Sequence, residues 1–147
     1  MSKPVLVFGS NEAGFHGGGA ALCAYQKRGA RWGASYGHVG DSFAIPTKGF
    51  KWIPSKLPDG TLTSVRTIGD TLPLHVIKDY VTGFLAYARG RPDIVFHVTR
   101  IGCGLAGHKD SDIAPIFLEA PPNCLFDTAW KPILMGAMPA KEYWGTF

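Results

Sequence analysis

Apolar positions along the chain fall into two alternating rhythms. Pro4 to Phe8 (PVLVF) is a short continuous apolar run, the pattern of a strand buried on both faces of a sheet. It ends at Gly9, and the loop Gly9 to Gly19 (GSNEAGFHGGG) leads into Ala20 to Arg28, whose spacing predicts a helix. Gly29 to Ser42 is glycine-rich and aperiodic, a connection whose Trp32 and Tyr36 are expected to pack onto the domain. Phe43 to Ile45 predicts a short strand closed by Pro46-Thr47-Lys48. Gly49 to Leu72 predicts a long excursion with a hairpin turn at Asp59-Gly60. Pro73 to Arg89 places Leu74, Ile77, Val81, Phe84, Leu85 and Ala88 at helical spacing, with Pro73 in the first turn.

The second half repeats the scheme. Val95, Phe96, Val98 and Ile101 predict a strand that the glycines at 102, 104 and 107 stop, and Ser111 or Asp112 is placed to cap a following helix. Ile113 to Glu119 predicts a short helix, Asn123 to Phe126 a last strand, and Lys131 to Phe147 a proline-broken tail. Alternating strands and helices predict an α/β domain, a sheet with helices on both faces, in which ligands bind beyond the carboxyl ends of the strands. Both glycine loops and Lys48 leave such ends, so one crevice is expected.

Composition narrows the class. With 147 residues, 46% of them hydrophobic, the chain suits a single domain covering residues 1–147. No apolar run approaches the roughly 20 residues of a membrane span, and Met1 to Ser10 lacks signal-peptide character, which predicts a cytosolic protein without a membrane partner. Three widely spaced cysteines, Cys23, Cys103 and Cys124, support neither a disulfide framework nor a zinc site, so reduced thiols and no metal are expected. The net charge of +4 comes from cations scattered among 11 acids. That suits an anionic ligand and argues against direct nucleic-acid binding.

Two glycine loops ahead of helices expose backbone N–H groups at positive dipole ends, the means by which proteins hold phosphate. The stretch Gly102, Cys103, Gly104, Leu105, Ala106 and Gly107 reads GxGxxG after a strand, and Asp127 follows at the distance of a ribose-binding acid. A conventional dinucleotide domain, however, needs more chain than remains and leaves the first glycine loop without a role.

Around these loops lie candidate side chains. Asn11 is suited to ribose hydroxyls or to a local Asx turn. His16 can donate to phosphate or serve as acid or base, or simply be exposed. Lys48 can act as a phosphate cation, as an amine nucleophile or as an ordinary surface lysine. Arg100 can fork a phosphate or tie down a carboxylate. Asp110 and Asp112 stand at a helix start, and His108 can carry a proton or be solvent-exposed.

Taken together, FGSNEAGFHGGGAALCA (Phe8 to Ala24), AIPTK (Ala44 to Lys48) and RIGCGLAGHKDSDIAP (Arg100 to Pro115) resemble the macrodomains, ADP-ribose-binding α/β modules, and closely the compact macrodomain-like proteins of bacteriophages and their hosts. The resemblance covers most of Val5 to Trp130. It implies a three-layer α/β/α sandwich with a mixed, largely parallel sheet, and as ligand ADP-ribose or a related NAD-derived nucleotide, with no separate cofactor. It further implies Asn11 and Gly17, Gly18 and Gly19 at the distal ribose, and Gly102 to Gly107 around the diphosphate.

The IPTK and IGCGL motifs are similar to those of macrodomains that remove ADP-ribose from acidic side chains of a modified macromolecule through a lysine, here Lys48. The aspartate that follows GCGL in that subgroup is replaced by Ala106. The aspartate that follows the glycine run in another hydrolytic subgroup is replaced by Ala20 and Ala21. An acid or base would then have to come from Asp110, His108 or His16. The aspartate that reads adenine in the family has no counterpart, which leaves Trp52 as a stacking candidate. Binding without turnover, as in a factor that sequesters an NAD-derived signal, is the alternative to hydrolysis.

Overall fold

The computed structural model describes residues 3–147. Among them, seven strands form one mixed sheet: β1 (Val5–Asn11), β2 (Gly37–Val39), β3 (Ser42–Lys56), β4 (Leu62–Thr71), β5 (Phe96–Val98), β6 (Cys124–Asp127) and β7 (Glu142–Gly145). The order is β2-β3-β1-β5-β6-β7, with β4 paired to the far half of β3. β3, β1, β5, β6 and β7 are parallel, whereas β2 and β4 run antiparallel to β3.

The alternation of side chains along β1 builds two cores. Val5 and Val7 face the longer helix α2 (Leu74–Arg89), which buries Ile77, Val81, Phe84, Leu85 and Ala88 against Phe43, Ile45, Phe96 and Val98. Leu6 and Phe8 point the other way, onto Ala21 and Ala24 of α1 (Gly19–Lys27). Small residues on α1 allow this close approach to the sheet. Helices therefore cover both faces, giving the α/β/α sandwich with a mixed, largely parallel sheet. Burying an aromatic or aliphatic side chain of this kind stabilises by about 1.5–3 kcal/mol each, so the larger, α2-side cluster dominates.

The short elements follow local chemistry. Pro73 is the N-cap of α2 and lies just outside the helix, with extended backbone. The helix expected over 113–119 begins earlier, as α3 (Asp110–Ile113), and Pro115 then tightens the chain into a 3-10 turn at Ala114–Phe117. Lys109 is the N-cap without a side-chain bond, and Ser111 and Asp112 lie inside the helix. In the tail, α4 (Lys131–Leu134) precedes β7, which was not evident in the sequence and which pairs with β6.

β3 does not stop at Pro46. It continues to Lys56, 15 residues in all, and forms with β4 a long two-stranded ribbon. Pro46 cannot donate to a ladder, and the β1–β3 register shifts between Ser10 and Asn11. There the Ser10 carbonyl accepts from the Thr47 hydroxyl at 3.2 Å. Trp32 remains half exposed, its ring stacked on Phe15 with centroids 5.3 Å apart, while Tyr36 donates to the Tyr80 carbonyl at 2.8 Å. Among the described residues, no helix is long and apolar enough to cross a membrane.

Candidate functional site

A cavity of about 680 Å³ opens where β1, β5 and β6 end and β3 passes at Thr47 and Lys48. This is the size range of small-ligand sites, and its place at the carboxyl ends of parallel strands is where open α/β sheets bind ligands. Its wall includes Asn11, Gly17, Gly18, Gly19, Lys48, Gly102, Gly104, Leu105 and Ala106, so both glycine loops and the lysine meet there. The loops approach closely: a Cβ on Gly18 would stand 3.4 Å from Leu105 Cδ1.

Each loop is held open by its backbone. α1 starts at Gly19 without a side-chain cap and without an acid in its first turn. Its earliest helical bond is Leu22 N–H to the Gly18 carbonyl, which leaves the N–H groups of Gly19, Ala20 and Ala21 unpaired among the described residues. All three residues line the cavity. In the second loop, Cys103, Gly107 and His108 donate to Arg100, Gly104 and Gly102 carbonyls, whereas the N–H groups of Gly104, Leu105 and Ala106 have no partner among the described residues. Gly102 adopts φ 74°, a left-handed turn that brings the chain back from β5. Two sets of free amide donors thus border one space, an arrangement suited to anionic oxygens.

Lys48 is paired across β3 with both Asn11 and Thr71, and its carbonyl accepts from Glu12 N–H at 2.9 Å. The backbone is fixed on both sides while the half-buried side chain belongs to neither ion pair found among the described residues, Arg91–Asp93 and Arg100–Asp110. Lys48 is therefore a cation on a rigid mount at the cavity wall.

The remaining candidates are engaged elsewhere. Asn11 donates from Nδ2 to the Phe15 carbonyl at 2.7 Å and accepts from Phe15 N–H at 3.1 Å, so its amide braces the first loop. His16 is fully buried outside the cavity wall, donating from Nε2 to the Arg31 carbonyl at 2.8 Å, with its ring against Phe8 and Trp32. Its ring does not line the cavity. His108 donates from Nε2 to the Leu72 carbonyl at 2.9 Å, and Thr71 donates to the Ala106 carbonyl at 2.7 Å. These bonds tether the second loop to the end of β4, and they give His108 a structural part.

Asp110 accepts from Arg100 Nε at 2.7 Å and from the buried Trp130 indole at 2.6 Å. The Arg100 guanidinium, with help from the indole, holds this carboxyl down at about 2, so at neutral pH it is a fixed anion and no proton donor. Cys103 lies behind the cavity wall, its thiol pushed up to about 12 by burial and by the neighbouring Asp110. Gly107 and Trp52 also lie off the wall. Among the described residues, no three His, Cys, Asp or Glu side chains come together as a metal site.

No family model matches the chain, and no curated protein matches it. A solved structure of a protein of unknown function from Bacteroides thetaiotaomicron is similar, with 18% identity and a TM-score of 0.51 over 81% of this chain and 82% of that one. At that identity the likeness is one of fold, and it spans the α/β/α architecture described above.

Several wall residues have no role legible in the sequence. Phe15 lies inside the first glycine loop, Ile68 comes from the ribbon and Phe147 from the tail. Asp127, read in the sequence only as part of a dinucleotide fingerprint, is the one acidic side chain on the wall among the described residues. It is buried and accepts from Ala129 N–H at 2.9 Å and from the Thr146 hydroxyl at 3.1 Å. It thereby fastens the tail beside the cavity. The pairing of β7 with β6 that brings Phe147 there leaves no local signal in a segment broken by Pro132 and Pro139.

Proposed function

We propose that this chain is a macrodomain-like module that binds ADP-ribose or a related NAD-derived nucleotide in the cavity at the strand ends. The supporting observation is the pair of glycine loops, Gly17 to Ala21 and Gly102 to Ala106, whose unpaired amide groups border one cavity beside Lys48. A diphosphate would accept from both sets at once, and Lys48 would balance its charge. Phe15 on one loop and Phe147 on the tail add aromatic surface to the wall that suits the less polar parts of a nucleotide.

Binding without turnover is the reading that the side chains favour. Asp110 is a fixed anion paired to Arg100, His108 is tied to Leu72, and His16 is enclosed. Hydrolysis has one observation on its side, the uncommitted amine of Lys48 at the wall.

Calorimetry with ADP-ribose tests both readings. Saturable binding is expected in the unaltered protein. Gly104→Phe should abolish it without unfolding the protein, because a Cβ at this position meets nothing within 4 Å and the bulk enters open space. Lys48→Ala should weaken binding about 10- to 100-fold, the value of a charge-assisted contact. No heat at millimolar ADP-ribose would remove the proposal. Release of ADP-ribose from a modified protein, lost in Lys48→Ala, would replace binding alone with hydrolysis.

A further inference from the structure

The outer halves of β3 and β4 form a ribbon that, apart from Ile68, does not line the cavity. From Phe50 to Arg66 every residue is exposed except the half-buried Ser55, so both faces of the ribbon are open. An isolated two-stranded ribbon is only marginally stable in water. One with large apolar side chains on open faces gains from a partner.

Its register decides what that partner is. Phe50 stands opposite Ile68, Trp52 opposite Arg66, Pro54 opposite Ser64, and Lys56 opposite Leu62. Directly opposed residues and alternate residues share a face, so Ile68, Phe50, Trp52, Arg66 and Lys56 lie in one strip. Ile68 is also on the cavity wall, and the strip therefore runs outward from the cavity mouth for about 20 Å. Trp52 is 62% exposed, and the Arg66 guanidinium carbon sits 5.6 Å from the Phe50 ring centroid.

The charges on the strip are of one sign. Between Phe50 and Arg66 the cations are Lys51, Lys56 and Arg66, and the single acid, Asp59, is confined to the turn. These cations are scattered along the sequence, and it is the antiparallel register that sets Arg66 beside Trp52 and Phe50 and puts Lys56 farther out on the same face. A second copy of the ribbon would bring like charges together, whereas a polyanion would neutralise them.

We propose that this ribbon binds single-stranded nucleic acid, with a base stacked on Trp52 and phosphates held by Arg66 and Lys56. Stacking on aromatic rings flanked by cations is how single strands are held without sequence preference. The same strip would lead a bound strand toward the cavity. Phe50, Trp52, Lys56 and Arg66 lie off the cavity wall, so the proposal stands whatever the cavity holds.

The test is fluorescence anisotropy of a labelled oligothymidylate of about 12 nucleotides. The unaltered protein should bind it at low salt. Two phosphate contacts on a single strand predict about a sevenfold loss of affinity between roughly 50 and 200 mM salt, and Arg66→Ala should cut that loss to about threefold. Trp52→Ala should weaken binding about 5- to 100-fold, and Trp52→Phe, which keeps a ring, should restore most of it. Both positions are exposed, so circular dichroism should show the variants folded.

Absence of binding at low salt would overturn the proposal. So would equal affinity in the unaltered protein, Trp52→Ala and Arg66→Ala. Sedimentation showing that the ribbon mediates self-association, lost in Trp52→Ala, would assign the surface to a second copy instead.

Discussion

Replacing Asp110 with alanine removes the anchor of a three-residue knot beneath the second glycine loop. Arg100 at the end of β5, Asp110 at the start of α3 and Trp130 after β6 converge through charge-assisted and indole hydrogen bonds. A carboxyl lowered from 3.8 to about 2 would carry about 2.5 kcal/mol if fully screened from water. The side chains of Arg100 and Asp110 are 43% and 30% exposed, which reduces the pair to about 1–2 kcal/mol. Trp130 is fully buried, and leaving its N–H without an acceptor costs about 1–3 kcal/mol more. The terms share a partner and do not simply add, so Asp110→Ala is expected to lose about 2–4 kcal/mol in urea unfolding and about 6–12 °C in Tm.

The pH dependence has a definite sign. The folded carboxyl is depressed below its unfolded value, so its contribution is complete above pH 3.8 and is lost as pH falls toward about 2. The stability gap between the unaltered protein and Asp110→Asn should therefore close over that interval. A loss in Asp110→Ala below about 0.5 kcal/mol, or a gap that ignores pH, would refute the view of Asp110 as a structural anion.

Other expectations follow from single positions. Gly102→Ala forces a side chain into φ 74° with its Cβ 3.3 Å from Ile113 Cδ1, and should cost at least about 1–2 kcal/mol in urea unfolding, whereas Gly104→Ala should be nearly neutral. Comparable losses in both would show that the second loop is constrained differently. The thiols of Cys103 and Cys124 are both pushed up to about 12, chiefly by burial, so iodoacetamide at pH 8 should leave them unmodified by mass spectrometry while the fold persists. Rapid alkylation of either would contradict that burial.

The legible parts of the chain were those in which one local rule acts alone. PVLVF gives β1 because a continuous apolar run fits only an element buried on both faces, and the period of Ile77, Val81, Phe84 and Ala88 gives α2 directly. Pro46 reads locally as a stop, yet β3 runs through it because neighbours on both sides, β1 and then β4, supply pairing that propensity does not register. β7 depends in the same way on β6.

For the site, glycine spacing marked both loops because a left-handed turn at Gly102 and an open helix start at Gly19 are requirements of the backbone. Side-chain roles were less readable. Whether Asn11, His16, His108 and Asp110 face a ligand or a neighbour depends on partners such as Phe15, Arg31, Leu72 and Arg100, which in three of the four cases stand ten or more positions away. Phe147 and Ile68 reach the wall only through sheet pairing.

The central claim is that two separated sets of backbone amides serve one diphosphate, and amide chemical shifts during an ADP-ribose titration test it most directly. The account predicts that Gly19, Ala20 and Ala21 move together with Gly104, Leu105 and Ala106, along curves that fit a single dissociation constant. Shifts confined to one loop, two different constants, or no shift at all would contradict it.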